Sequence, residues 1–166
     1  FRRVLFRSVN AGLTNQGSNA VAIGNSAGST TQGSGAIAIG TASGQTDQGD
    51  YATAVGYGTG ETTQGSSSTA IGINAGNAAQ GASAVAVGEA AGKTDQGADA
   101  TAVGRDAGND TQGDYAVAIG NSAGRTTQGT NAVAVGIYAG RIGRASCTET
   151  VYNSVVSRST YKTPKL

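Results

Sequence analysis

Short runs of alternating residues return every sixteen positions along most of the chain and carry its clearest structural signal. In residues 115–119, Val117 and Ile119 would lie on one side of an extended backbone and two alanines on the other. An alternation with a period of two over five residues predicts a β-strand. The stretch Thr126-Thr127-Gln128 predicts a second, shorter strand in the same unit.

Glycine and glutamine mark this period without insertion or deletion. Two glycine columns, Gly24 to Gly136 and Gly12 to Gly140, predict tight turns because glycine readily adopts a positive φ. A third glycine column directly follows the glutamine column, which consists of Gln16, Gln32, Gln48, Gln64, Gln80, Gln96, Gln112 and Gln128. So strict a repeat predicts an all-β fold, a parallel β-roll or β-solenoid of about eight 16-residue coils stacked about 4.8 Å apart.

The strand positions differ in how much variation they accept. The column of Ile119 contains only Ile or Val, whereas the column of Val117 also contains Thr. This predicts that the Ile119 column is the more buried of the two. The column of Ala118 is Ala in all eight units, which predicts a contact so close that only a methyl group fits.

The glutamine column has two interpretations. In-register glutamine side chains can hydrogen-bond to one another along a stack, which would satisfy their amide groups in a structural ladder. The same column could instead present a row of amides to a ligand. The unbroken identity of all eight positions favours the structural ladder, because recognition surfaces rarely repeat without change.

The chain divides into three segments. Residues 9–142 form the predicted β-solenoid repeat domain. Residues 1–8 match no repeat column and resemble a translated adapter or vector sequence, so we interpret them as a non-repeat leader. Residues 143–166 form an irregular basic tail with a strand-like patch at residues 151–156. The tail is interpreted as a cap over the last coil, a linker or a second such scar.

Composition and charge narrow the class of function. Residues 9–140 carry nine acidic and three basic side chains, a net charge of −6, and no basic stripe, which argues against nucleic acid as a partner. No apolar run approaches the length of a membrane-spanning helix, so we expect no direct membrane insertion of this segment. The chain has no His to serve as a base for a nucleophile, and Cys147 lies in the tail. We therefore expect no enzyme activity, no catalytic residues and no cofactor.

Pairs of aspartates near the Gln-Gly turns are candidate metal ligands by residue type. The pairs are Asp47/Asp50, Asp95/Asp99 and Asp110/Asp114. Calcium takes about six to eight oxygen ligands, and these pairs are neither periodic nor part of a glycine-rich calcium-binding repeat. They indicate a solvated acidic face and no metal site.

Four tyrosines occupy columns that change from coil to coil. They are Tyr51, Tyr57, Tyr115 and Tyr138. Exposed tyrosines are common contact residues for protein or glycan partners, so these four are candidate surface contacts. Simple exposure without a ligand is the alternative interpretation.

A threonine column suggests a different class of function, an ice-binding rod. It contains Thr14, Thr30, Thr46, Thr62, Thr94 and Thr126. A flat, regular threonine array is what an ice-binding solenoid needs. Ala78, Asp110 and Ile142 interrupt the column, and Asp47 and Asp95 occur in the adjacent one.

The strings at residues 19–28 (NAVAIGNSAG), 115–124 (YAVAIGNSAG) and 131–136 (NAVAVG) resemble the head repeats of trimeric autotransporter adhesins. Similar repeats occur in surface fibres of phages and large viruses. The resemblance covers residues 9–142, although the sixteen-residue step is slightly longer than the commonest adhesin head repeat. It implies a left-handed parallel β-roll, usually a homotrimer, with the Ala118 column as a candidate for close packing between chains or sheets.

The resemblance also implies a place and a role. It predicts an extracellular, cell-surface or virion-surface segment that is structural and adhesive and binds host or matrix protein or glycan multivalently. The alternatives are the ice-binding rod and a purely structural spacer without a ligand, since fold does not fix function.

Overall fold

The computed structural model describes residues 8–140 and the backbone of Thr150–Tyr152. Within these residues the protein is all-β, without a helix, and forms a parallel β-solenoid of about seven turns. The predicted fold class is confirmed at this level. The leader up to residue 7, Cys147 and most of the basic tail lie outside the described residues.

Nine strands of three residues each form the main sheet, and neighbouring strands are parallel. Successive coils pair in register, so that Ala102 lies beside Ala118 and Ala118 beside Ala134. The main sheet contains β1 (Val21–Ile23), β2 (Ile37–Ile39), β3 (Thr53–Val55), β4 (Thr69–Ile71), β6 (Val85–Val87), β8 (Thr101–Val103), β9 (Val117–Ile119), β10 (Val133–Val135) and β11 (Thr150–Tyr152).

A second wall runs through the glutamine column. Its only regular strands in the described residues are β5 (Ala78–Gln80) and β7 (Thr94–Gln96), which pair in parallel. Elsewhere the wall consists of isolated parallel bridges between successive glutamines, such as Gln112 to Gln128. The predicted second strand at residues 126–128 is therefore reduced to the bridge at Gln128.

The strands of the main sheet are shorter than the alternating pattern predicts. In the unit of β9, the extended segment covers Val117–Ile119 and not residues 115–119. Tyr115 adopts a φ of 59°, in the left-handed region, which takes the chain out of the extended conformation before the strand begins. The predicted period of two is correct, but the strand begins two residues later than predicted, after the turn that contains Tyr115.

The prediction that the Ile119 column is more buried than the Val117 column was wrong. Ile119 is 41% exposed and Val117 is partly exposed, whereas Ala118 between them is fully buried. Because side chains of a strand alternate between its two faces, the branched residues point outward and the alanines point inward. The core therefore consists of these alanines together with the buried glutamine side chains of the second wall.

The alanines recur from coil to coil because the interior is narrow. Ala118, Ala123 and their equivalents between Ala70 and Ala139 form one continuous buried cluster, and Ala22, Ala27 and Ala38 form a second one. A Cβ added to Gly124 would lie 3.2 Å from the Cβ of Ala118 and 2.4 Å from the Oε1 of Gln128. The methyl group of Ala118 therefore faces Gly124 of the same coil, with no room for another carbon atom between them. The close contact predicted for the Ala118 column lies inside the chain and not between chains.

Two glycines of each coil make its turns in different ways. Gly124 has a φ of 51°, and Gly120 has a φ of 125°, a conformation that side chains with a Cβ rarely adopt. At Gly120 the next coil also approaches closely, since an added Cβ would lie 2.6 Å from the carbonyl oxygen of Gly136. These turns allow each coil to stack directly on its neighbour.

The tail contributes one strand to the described structure. The backbone of β11 pairs in parallel with β10, with Thr150 beside Val133 and Tyr152 beside Val135. The sheet therefore gains one further strand at this end after a step of seventeen residues instead of sixteen.

Candidate functional site

The glutamine side chains lie inside the solenoid. From Gln32 onward the column is almost fully buried, whereas Gln16 is partly buried. Each amide bonds the inner side of the strand wall: Gln48, for example, donates from Nε2 to the carbonyl oxygen of Ile37 at 2.8 Å and to that of Ala52 at 3.3 Å. A ligand at the surface cannot reach amides in this position. Their geometry is that of a structural tie between the two walls.

Hydrogen bonds between successive glutamines are present in some coils and absent in others. Nε2 donates to the Oε1 of the next glutamine in four pairs: Gln16 to Gln32, Gln48 to Gln64, Gln80 to Gln96 and Gln96 to Gln112. The Oε1 atoms of Gln48, Gln80 and Gln128 are buried without a hydrogen-bond partner. The amide ladder is therefore interrupted between Gln32 and Gln48, Gln64 and Gln80, and Gln112 and Gln128.

The outer face of the main sheet is a continuous surface of branched side chains. We call it the branched face: the outward Val, Ile and Thr side chains of β1, β2, β3, β4, β6, β8, β9 and β10. Its two columns are in register over all eight strands, and every member is at least partly exposed. Ile73 and Ile137, in the turn after the strand, extend it at one edge. This surface exists because the branched side chains point outward. The sequence pattern instead predicts that one of the two columns, that of Ile119, is the more buried.

The four candidate tyrosines are all exposed, but they do not form one cluster. Tyr51 and Tyr115 occupy the same column, in the turn before the strand, and are 70% and 59% exposed. Tyr57 and Tyr138 lie in the turn after the strand and are 60% and 52% exposed. Only the first two therefore share a geometric setting.

Aspartates of the proposed acidic face have structural roles at two positions. Asp50 Oδ1 accepts a hydrogen bond from the backbone N–H of Ser34 at 2.7 Å, and Asp114 Oδ1 accepts one from Ala98 at 2.9 Å. Each carboxylate thus ties its coil to the preceding one. No group of three or more His, Cys, Asp or Glu in the described residues is placed to hold a metal ion.

The threonine column lies on the glutamine wall and is largely exposed, although Thr46 is half-buried. The adjacent column does not have a uniform backbone. Asn15, Asp47, Ala79 and Asp95 adopt a positive φ, whereas the threonines at the equivalent positions do not. The two columns therefore do not make a regular array over the length of the rod.

Comparisons with known proteins do not assign the chain to a family. No family model matches it, and neither a curated protein nor a solved structure matches it. No helix in the described part of the chain is long and apolar enough to cross a membrane.

Proposed function

We propose that the chain is a structural and adhesive segment of a surface-exposed fibre, such as a bacterial adhesin head or a virion fibre. The observation that carries this proposal is the branched face on a rigid, in-register stack of coils. Eight strands spaced about 4.8 Å apart form a rod of roughly 40 Å, with the same apolar columns along its length. Because the branched face would be buried between copies of the chain, attachment would use the surfaces that repeat beside it along the rod, where many weak contacts give high avidity.

The branched face is also the surface through which the chains would associate. Monomeric proteins rarely expose a contiguous apolar patch larger than a few hundred square ångströms, and larger patches mark interaction sites. The resemblance to adhesin heads supports a homotrimer and a left-handed roll. Since the Ala118 column lies in the chain's own core, the outward residues such as Val103 and Ile119 would make the contact between copies.

An adhesion assay tests this function. Beads that carry many copies of the full chain should adhere to surfaces coated with extracellular-matrix protein or host-cell glycans, and soluble chain in excess should compete weakly because it lacks the avidity of the bead. Beads without the chain are the control. If loaded beads adhere no better than bare beads to any of these surfaces, the adhesive role is wrong and the spacer role replaces it.

The ice-binding alternative makes a separate prediction. Two features weigh against it: the interruptions at Ala78 and Asp110, and the mixed backbone conformation of the neighbouring column. Thermal hysteresis of the full chain in dilute buffer would support it in place of adhesion. We expect none.

A further inference from the structure

Two coils carry the same five-residue sequence in the turn before the strand. Residues 48–52 and 112–116 both read Gln-Gly-Asp-Tyr-Ala. In both, the aspartate accepts a hydrogen bond from the backbone of the preceding coil, Asp50 from Ser34 and Asp114 from Ala98. We call each Asp-Tyr pair a tyrosine station. The same aspartate contact thus occurs at two places along the solenoid, each directly before a tyrosine of one column.

The tyrosines of the stations stand where the backbone disfavours them. Tyr51 has a φ of 58° and Tyr115 a φ of 59°, in the left-handed region, where a bulky residue is a true outlier. The other members of this column are the residue types that tolerate the region better: Asn19, Gly35, Ser67, Ser83, Asp99 and Asn131. A residue held in this region costs about 1–3 kcal/mol, and such residues cluster at functional sites. Tyr138, in the turn after the strand, has the same φ of 59°, so the two stations are distinguished by their shared column and not by this angle alone.

The ring of Tyr51 rests on the preceding coil. A Cβ added to Gly35 would lie 2.9 Å from the Cδ1 atom of Tyr51, so the ring lies over a position that has no side chain. Exposed residues around the stations are small or polar: Ser66 and Ser67 follow Tyr51 in the next coil, and Thr130 and Asn131 follow Tyr115. An aromatic ring surrounded by hydroxyl, amide and carboxylate groups matches a sugar ring, which has apolar C–H faces and a hydroxyl rim.

We propose that the two tyrosine stations bind one linear, uncharged polysaccharide that runs along the solenoid axis and presents flat sugar faces in an extended chain, as β-1,4-linked chains do. This inference rests on the adhesive role proposed above and names the ligand class. Tyr51 and Tyr115 are 64 residues apart in sequence, four coils of sixteen, which places the rings roughly 19 Å apart at the usual strand spacing. Each ring stacks on the face of one sugar, and neighbouring polar groups bond its hydroxyls.

Charge selects against acidic polysaccharides. Residues 9–140 carry nine acidic and three basic side chains, and each station contains an aspartate. A uronate or sulfated chain would therefore be repelled, whereas an uncharged chain would not. The stations lie in the turn before the strand and not on the branched face itself.

Isothermal titration calorimetry of the full chain tests the two-station geometry. The probes are cellohexaose and N-acetylchitohexaose, each compared with its disaccharide, which is too short to reach both rings. At least one hexasaccharide should bind about ten to a hundred times more tightly than its disaccharide, because the second contact is intramolecular. Binding of neither hexasaccharide, or equal affinity for the long and short forms, would overturn the proposal.

Single substitutions separate the stations from other exposed tyrosines. Tyr51→Ala and Tyr115→Ala should each reduce the affinity for the hexasaccharide to that for the disaccharide, while Tyr57→Ala should leave it unchanged. Circular dichroism of each variant checks that the fold is intact. If Tyr57→Ala weakens binding as much as the station variants do, the two-station site is wrong. The solution mass is independent of these results, so a monomer that binds both stations would refute the trimer and leave this site standing.

Discussion

Asp95 adopts a φ of 47° directly before Gln96, and Gln96 donates a hydrogen bond of 3.2 Å to the Oε1 of Gln112. The same relationship holds throughout the described coils. The four glutamines that donate to the next coil follow Asn15, Asp47, Ala79 and Asp95, all of which have a positive φ. Glutamines that follow threonine make no such bond. The residue before each glutamine thus sets whether the amide ladder continues.

The physical cause lies in the threonine side chain. A β-branched residue avoids the left-handed region, whereas Asn and Asp tolerate it. The main-chain bond into the next coil changes accordingly: the backbone N–H of Gln64 lies 3.2 Å from the carbonyl oxygen of Asp47, but that of Gln80 lies 2.9 Å from Thr63. The local path of the backbone therefore differs just where the glutamine side chain must reach its neighbour.

Replacing Asp95 by Thr should remove one hydrogen bond of the amide ladder, the one from Gln96 to Gln112. Because threonine is β-branched, we expect the backbone at position 95 to leave the left-handed region. The hydrogen bond from Gln96 would then be lost, and the buried Oε1 of Gln112 would have no partner. The cost should be about 1–3 kcal/mol of unfolding free energy, measured by urea denaturation. Asp95→Asn is the matched control because Asn keeps the left-handed conformation. Equal loss in the two variants would show that charge, and not backbone conformation, is responsible.

The reverse change, from Thr to Asn directly before a glutamine, should add a hydrogen bond to the amide ladder. Thr111→Asn allows a positive φ before Gln112, so that its amide can donate to Gln128, whose Oε1 now has no partner. We expect a gain of about 1 kcal/mol in the same urea titration. Thr111→Val, which remains β-branched, should give no gain. A gain with Val as large as that with Asn would contradict the proposed cause.

The narrow interior can be tested by enlarging one alanine. Ala118→Val adds carbon atoms where the methyl group already faces Gly124 and the opposite wall, and should cost about 1–3 kcal/mol through overpacking. Thermal melting followed by circular dichroism measures this. The neighbouring change Val117→Ile points outward and should alter the melting temperature little. If the order of the two effects is reversed, the assignment of inside and outside is wrong.

A turn glycine should be equally intolerant. Gly120→Val places a branched residue at a φ of 125° and directs its Cβ toward the carbonyl oxygen of Gly136. We expect a loss of at least about 2–3 kcal/mol and reduced β-content by circular dichroism. Asn121→Val, one position later and with an ordinary φ, is the control. Unchanged β-content and melting in Gly120→Val would contradict the turn assignment.

The sequence predicts the architecture well because the period is set by backbone geometry. Sixteen-residue coils, parallel strands and turns at Gly120 and Gly124 all follow from the spacing of glycine and of the alternating runs. A period of two, however, defines two faces without saying which is inside. The restriction of the Ile119 column to Ile and Val suggested that it is more buried than the Val117 column, but the interior holds Ala118 and both branched columns point outward.

The candidate surfaces depend on features that are harder to obtain from sequence. Tyr51 and Tyr115 belong to a column of Asn, Ser, Asp and Gly, and this composition was a signal for a left-handed turn. The interruption of the amide ladder has a similar signal in the exchange between Thr and Asn, Asp or Ala before each glutamine. Neither the composition of the tyrosine column nor the residue type before each glutamine predicts these features by itself, because composition alone does not show which turn positions have a positive φ.

The central claim is that the branched face joins copies of the chain into a trimeric fibre segment, and its most direct test is the solution mass by light scattering. We predict three copies for the full chain and one copy for Ile119→Asp, which places a charge on that face. Thr127→Asp, on the glutamine wall, is the control and should keep the mass of three copies. A full chain that has the mass of one copy over a wide range of concentrations would contradict the account.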